Sequence, residues 1–285
     1  MHRALPKRGG YVLLLTLGII ALASIALAGL ARHSLNLATS AGQAADDLQR
    51  RWGLLSVRHV LVDRTNEILE AQVPDELASL PPWPKPAQVS ASFLLGDQQF
   101  TVTLADEDAK VDLNTIYTRK RDRLLPAIRR LSRGAQFAAP DVRLTPNAGS
   151  GTPFTSWGQV FELASLPNEK NASVALVSIG DEMTCWGSGR LNLRRASDAA
   201  VREIASLALP AKEVGELVQN RKNWGGQGVE ELLDELELKR PQYLAARRLL
   251  GTESRNFSLW VEIEDGQRNW SYLYVDNGKP ICFAW

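Results

Sequence analysis

The side chains able to do chemistry are few and scattered. Three histidines occur, His2, His33 and His59. The first lies in a basic leader and the other two in a stretch that reads as one long helix. A His-dependent nucleophilic triad therefore has no base in the rest of the chain. The two cysteines, Cys185 and Cys282, could bridge in an oxidising compartment or stay as two buried thiols. Asp106-Glu107-Asp108 offers oxygens of the kind Ca²⁺ takes, but without the spacing of a full loop, and reads first as a solvated turn. Asp181-Glu182 adds two more carboxylates, with adjacency as their only support for acid–base work. No zinc spacing, phosphate-binding loop or dinucleotide glycine motif is present. These patterns predict neither an enzyme nor a cofactor or metal centre.

The elements around them are easier to read. No charge occurs from Gly9 to Ala31, and the 21 residues Tyr11–Ala31 suffice for a helix spanning about 30 Å, one bilayer core. Arg3, Lys7 and Arg8 precede it and favour a cytoplasmic N-terminus with the remainder outside. The run suits a single-pass anchor. It also has a small-residue stretch, Ala26-Leu27-Ala28, as a secretory signal would, although the apolar region is long for one. No proline interrupts 32–73, and Leu48, Leu55, Val62 and Leu69 recur every seven residues beside Leu54, Leu61 and Ile68. One helix over 11–73 is expected, membrane-spanning at 11–31 and amphipathic beyond, with bends at Gly42 or Gly53. Its two-column stripe suits packing on a sheet.

After a proline-rich connection at 74–86, the period becomes two. Gln88–Leu95 and Gln99–Ala105 read as a hairpin turning at Gly96-Asp97. Asn256–Glu264, Gln267–Val275 and Lys279–Trp285 read as a terminal meander that completes the same sheet. Helices are expected between, at Arg119–Arg133 (a basic one), Ser156–Leu166, Asp198–Leu209 with Ser197 as N-cap, Ala211–Arg221, Val229–Leu238 and Gln242–Leu250. The fold class is thus α+β, a long helix packed on an antiparallel sheet, with a mainly helical insertion at 116–253 between sheet segments 88–115 and 254–285. The 33 basic and 32 acidic residues nearly cancel and give no electrostatic case for a nucleic-acid partner. The eight tryptophans fall mostly in the second half, as core or interface anchors.

Three stretches carry a family resemblance. Lys7-Arg8-Gly9-Gly10-Tyr11 leading into an unbroken apolar helix resembles the prepilin signal of type IV pilins and type II secretion pseudopilins. In that family a prepilin peptidase cuts after the glycine and methylates the new N-terminus. The resemblance places the cut between Gly10 and Tyr11, or one residue earlier. Most members carry Glu five residues after the cut; here Leu15 stands there. The K-type minor pseudopilin is the member that typically lacks this Glu. Asp108-Ala109-Lys110-Val111-Asp112-Leu113-Asn114 and Gly189-Arg190-Leu191-Asn192-Leu193-Arg194-Arg195-Ala196 resemble two strands of that K-type family, the second with Arg194-Arg195 in place of Asn-Thr. The asparagines read as caps and turn holders. The helices at 196–250 resemble the helix-hairpin-helix (SAM-like) arrangement of the family's inserted domain. In DNA-binding proteins that arrangement presents backbone N–H groups to phosphate, which here would involve Arg221, Lys222, Gly225, Gly226 and Gly228; no nucleic-acid partner is expected.

The resemblance covers most of the chain and implies assembly rather than catalysis. The leader would be 1–10, the helix 11–73, and the insertion 116–253 would carry a strand near 189–194. The implied role is a minor pseudopilin at the tip of a periplasmic pseudopilus, anchored by one pass in the inner membrane and supporting protein secretion. Its partners would be other minor pseudopilins, the major pseudopilin and the prepilin peptidase. A minor pilin of a type IV pilus or DNA-uptake system, and a membrane-anchored interaction domain that is never cleaved, are the alternatives.

Overall fold

The computed structural model describes residues 9–72, 85–134, 141–147, 152–162, 177–225, 228–264, 269–276 and 281–284. The chain divides into two compact units, Met1–Leu55 and Ser56–Trp285. Helix α1, Gly9–Leu61, supplies the described part of the first. From Tyr11 to Ala31 every side chain is exposed, Leu14 at 72% and Ile25 at 70%. The helix Tyr11–Ala71, with a mean hydropathy of 2.5 in its most apolar window, is long and apolar enough to cross a membrane. Its hydroxyls are satisfied internally: Thr16 donates to the Leu13 carbonyl at 2.9 Å and Ser24 to that of Ile20 at 2.8 Å. A helix in lipid needs this, because no water is there to accept those protons.

The single helix expected over 11–73 is present as Tyr11–Ala71, with one local change of winding. A 3₁₀ turn at Val62–Arg64 separates α1 from α2, Thr65–Ala71. The interruption falls at neither Gly42 nor Gly53. Thr65 donates its hydroxyl to the carbonyls of Leu61 and Val62 at 3.0 and 2.9 Å, competing with the regular ladder there. The heptad column is only partly buried. Leu69 is inaccessible, whereas Leu48 and Leu55 are 57% and 53% exposed.

In the second unit, β1 (Gln88–Leu95), β2 (Gln98–Asp106), β7 (Phe257–Glu264), β8 (Asn269–Asp276) and β9 (Ile281–Ala284) form one antiparallel sheet in the order β1-β2-β7-β8-β9. The four short strands numbered between β2 and β7 are introduced below. The expected hairpin and three-strand meander are both present, and Gly96 takes φ +60°, the conformation its turn requires. Pleating puts Phe100, Val102 and Leu104 of β2 on one face, opposite Ile263, Val261 and Leu259 of β7. All six are buried, and α2 packs on β2 from that side. On the other face Trp260, Leu273 and Val275 join the core of the intervening residues.

Those intervening residues leave the sheet after Asp106 and return at Phe257, and Asp106 and Phe257 are register partners. Two short parallel pairs organise them. Strand β3 (Val111–Asp112) pairs with β4 (Met183–Thr184), and β5 (Leu191–Asn192) with β6 (Leu250–Gly251). The helices are α3 Leu113–Arg119, α4 Leu124–Gly134, α5 Asp198–Ala205, α6 Ala211–Asn220, α7 Val229–Asp234 and α8 Arg240–Leu249. Ser197 caps α5 as expected, accepting from the Ala200 amide at 3.1 Å.

Several boundaries differ from the sequence reading. The basic helix Arg119–Arg133 is split by a 3₁₀ turn at Arg121–Arg123, and its C-terminal part, α4, buries Leu124, Ile128 and Leu131. Ser156–Leu166 is a 3₁₀ turn at Trp157–Gln159 followed by a bridge from Phe161 to Val142; 163–166 lie outside the described residues. The Ser197 helix stops at Ala205 and the Val229 helix at Asp234, each short of the expected end, because Leu207, Leu209 and Leu236 turn into the core instead of continuing the helical face.

Candidate functional site

The acidic triplet is not a solvated turn. Asp106, Glu107 and Asp108 are 0%, 1% and 2% exposed, and Asp112 is 7% exposed. Four carboxylates buried this closely must each be matched by donors, since an unmatched one would cost several kcal/mol. The chain supplies those donors from four separate segments.

Asp106 Oδ2 accepts from the Ser254 hydroxyl at 2.5 Å, the Asn192 amide at 3.2 Å and the Arg195 guanidinium at 3.3 Å. Its Oδ1 accepts from the Asp108 backbone N–H at 2.9 Å. Glu107 Oε1 accepts from Lys110 Nζ and the Ser258 hydroxyl, both at 2.6 Å, and its Oε2 from the Thr184 hydroxyl. Asp108 takes backbone N–H groups, from Ser188 at 2.6 Å on one oxygen and from Arg255 and Asn256 at 2.8 and 3.2 Å on the other. Asp112 caps α3 through the Asn114 amide at 3.0 Å and holds the Thr115 hydroxyl at 2.7 Å.

The donors at 184–195 and 254–258 belong to the middle and the end of the intervening residues, so the triplet ties entry, middle and exit together where they leave the sheet. Arg195 extends the network to α2. Its guanidinium is buried and meets Glu70 at 2.8 Å and Asn66 at 3.1 Å as well as Asp106. Arg195 occupies one of the two positions where this sequence departs from the family strand, and nothing in its sequence context marked it as buried.

The asparagines act as the sequence suggested, as holders of turns. Asn114 donates to the carbonyls of Phe154 and Cys185 at 2.9 and 2.7 Å and accepts from the Phe154 amide at 2.8 Å. Asn192 accepts from the Arg194 amide at 2.9 Å. Asn256 adds a bond that sequence reasoning missed, to the Trp186 carbonyl at 2.6 Å.

Burial dominates the titration of this cluster. It raises Asp106 and Asp108 above the usual carboxylate range against the pull of their donors, and raises Asp112 to about 7. Glu70 lies lower than usual. Burial works against this, and the hydrogen bond from Lys85 together with the Arg195 charge outweighs it. Among the described residues, no group of three or more His, Cys, Asp or Glu is placed to hold a metal ion. The acidic oxygens are instead occupied by the chain's own donors. Asp181 and Glu182, raised mainly by burial, lie next to β4 rather than within the triplet's hydrogen bonds.

The remaining expectations fall as follows. Tyr11 and Leu15 lie in α1, 75% and 51% exposed, and Gly10 is in its first turn; 1–8 of the leader lie outside the described residues. Cys185 is a buried free thiol, and burial pushes its pKa up. Cys282 is in β9, in register with Tyr274; its side chain lies outside the described residues. Arg221 is fully buried and donates to the carbonyls of Leu193 and Ala196 and, at 2.6 Å, to Asp198. It is a core strut, unavailable to phosphate. Gly226 of the same loop lies outside the described residues. In the basic segment, Arg123 donates to the Ser206 carbonyl at 2.7 Å and Arg130 makes a two-pronged pair with Glu203 at 2.6 and 2.8 Å. Trp157, Trp186, Trp224 and Trp260 are buried, as the tryptophan count suggested; Trp52 is 62% exposed.

No protein-family model matches the chain, and no curated protein matches it. Among solved structures, a chain of the GspK-GspI-GspJ complex from the type 2 secretion system of enterotoxigenic Escherichia coli is similar at 13% identity and a TM-score of 0.43. The match covers 86% of this chain and 98% of that one.

Proposed function

We propose that this chain is a non-enzymatic, membrane-anchored assembly subunit of the pseudopilin type, resembling the K-type minor pseudopilin. The observation that carries this reading is the form of the N-terminal helix. Its first part is uncharged and bare over one bilayer thickness, while residues 56–71 pack on an antiparallel sheet. A membrane tether alone does not require that continuation into a packed domain. The basic leader ending at Gly10 supports cleavage before Tyr11 by a prepilin peptidase, which would release the helix from the inner membrane for packing against the helices of other minor pseudopilins and the major pseudopilin. Leu15 in place of the usual Glu supports a terminal place in such a fibre, where no further subunit above needs its N-terminal ammonium neutralised. The residues between β2 and β7 would then cap the tip in the periplasm, and the assembly would support protein secretion.

The deciding experiment is mass spectrometry of the mature N-terminus, in hosts with and without a prepilin peptidase. A methylated start at Tyr11 or Gly10 that depends on the peptidase is expected. A start at Met1, or after Ala28, would overturn the reading.

A further inference from the structure

Residues 119–133 hold seven bases, six of them arginine, and one acid, Asp122, in a chain whose total charges nearly cancel. Two of the seven are used within the fold, Arg123 on the Ser206 carbonyl and Arg130 on Glu203. Arg119, Lys120, Arg121, Arg129 and Arg133 meet no carboxylate among the described residues. Arg121 lies over the Tyr117 ring, 5.0 Å from its centroid, and Arg133 donates to the Arg129 carbonyl at 3.1 Å. Neither contact neutralises a charge. Exposed bases elsewhere do find carboxylates, among them Arg143 with Glu162 and Arg247 with Glu230. The five are also brought to one side. Helical winding turns Leu124, Ile128 and Leu131 of α4 to the core, and Leu125, Pro126, Arg129 and Arg133 together to the opposite face. Leu125 is 39% exposed, and the other three are exposed with it. Arg119, Lys120 and Arg121 lead into that face from the end of α3. The result is a concentrated positive surface on a chain with a formal net charge of +1.

We propose that the face running from Arg119 to Arg133 docks on the phosphate headgroups of an anionic lipid bilayer. Charge complementarity calls for an anion, and five unmatched cations side by side call for one that repeats across a surface. The cations are nearly all arginine. A guanidinium takes two phosphate oxygens at once and gives up its water more readily than an ammonium does. Leu125 and Pro126 stand among them. An apolar side chain beside arginines suits the boundary between headgroups and acyl chains, where the one enters as the others hold phosphates. An acidic protein surface would match the charges but offers Leu125 no apolar layer. The docking is shallow, because the buried side of α4 stays in the protein core. Each cation near an anionic bilayer is worth about fivefold in partition, so the five together suffice for measurable binding. The inference does not rest on the pseudopilin reading and concerns a surface that reading leaves unused.

The test places the full chain in discs of neutral phosphatidylcholine and measures co-flotation with added vesicles, which are then the only anionic surface. Loaded discs should float with vesicles rich in phosphatidylglycerol and not with phosphatidylcholine vesicles, and rising salt should release them. Empty discs should float with neither. Arg129→Gln combined with Arg133→Gln should lower the partition about 25-fold. Leu125→Ser should lower it as well although it removes no charge, whereas Lys212→Ala, which removes a base elsewhere, should leave it unchanged. The altered side chains are exposed, and salt release of the unaltered chain is a readout that needs no variant. Absence of flotation with the anionic vesicles would overturn the proposal. So would a double arginine variant that floats like the unaltered chain. Displacement of the vesicles by polyglutamate, with Leu125→Ser indifferent, would overturn it in favour of an acidic protein partner.

Discussion

Two regions of this molecule invert the usual distribution of side chains, in opposite senses. From Tyr11 to Ala31 the chain exposes leucine and isoleucine. Around Asp106 it buries four carboxylates, a lysine and an arginine. The first arrangement is stable only if something outside the chain supplies an apolar medium, as a bilayer or neighbouring helices do. The second is stable only because the chain supplies every donor itself. One region needs an apolar medium from outside, while the other satisfies its carboxylates from within the chain.

The sharpest way to break the closed region is to remove a partner and leave its charge behind. Asp106→Ala should leave the buried Arg195 with Glu70 and Asn66 alone and take the acceptor from Ser254 and Asn192, at a cost of about 3–5 kcal/mol, read as a lower midpoint in denaturant unfolding of the detergent-solubilised chain. In the open region the corresponding error is a charge. Ile20→Arg should disfavour membrane insertion by about 2.5–3.5 kcal/mol, measured as the fraction recovered with membranes. Ser197→Ala removes the cap on α5 and should lower stability by about 1 kcal/mol while leaving membrane recovery unchanged. Lys212→Ala, which deletes an exposed pair with Glu216, should change stability by less than about 1 kcal/mol. If Lys212→Ala matched Asp106→Ala in effect, the contrast between burial and exposure would fail.

A pH series refines the same contrast. Asp112 has a folded pKa of about 7, above that of the unfolded chain, so the folded state holds its proton longer. Its contribution is therefore fully present below about pH 4 and is lost as the pH rises toward 7. Glu70, lowered, has the opposite sign and loses its contribution as the medium becomes acid. Asp112→Asn should flatten the decline between pH 4 and 7, checked by the denaturant midpoint at each pH. An unchanged slope would assign the decline to other groups.

The open region was legible in the sequence because membrane length and period are local properties. The same holds for the Gly96 turn, the sheet strands and the Ser197 cap. The closed region was not legible. Nothing in Asp106-Glu107-Asp108 distinguishes a surface turn from a core, because the residues that satisfy it, Thr184, Ser188, Asn192, Arg195, Ser254 and Ser258, stand far along the chain. Arg221 failed to read for the same reason. An arginine beside glycines looks like a phosphate contact until the carbonyls of Leu193 and Ala196 close over it.

The pairing of Asp106 with Phe257 also sets an order of events in time. The hairpin of β1 and β2 emerges early, but its inner neighbour β7 arrives only after all the residues between have been made. Until then β2 has a second open edge, and the triplet at its end lacks Ser254, Arg255 and Asn256. Such a high sequence separation slows closure and leaves half a sheet waiting. For a chain that also carries a long apolar helix, that interval is when a chaperone would matter most.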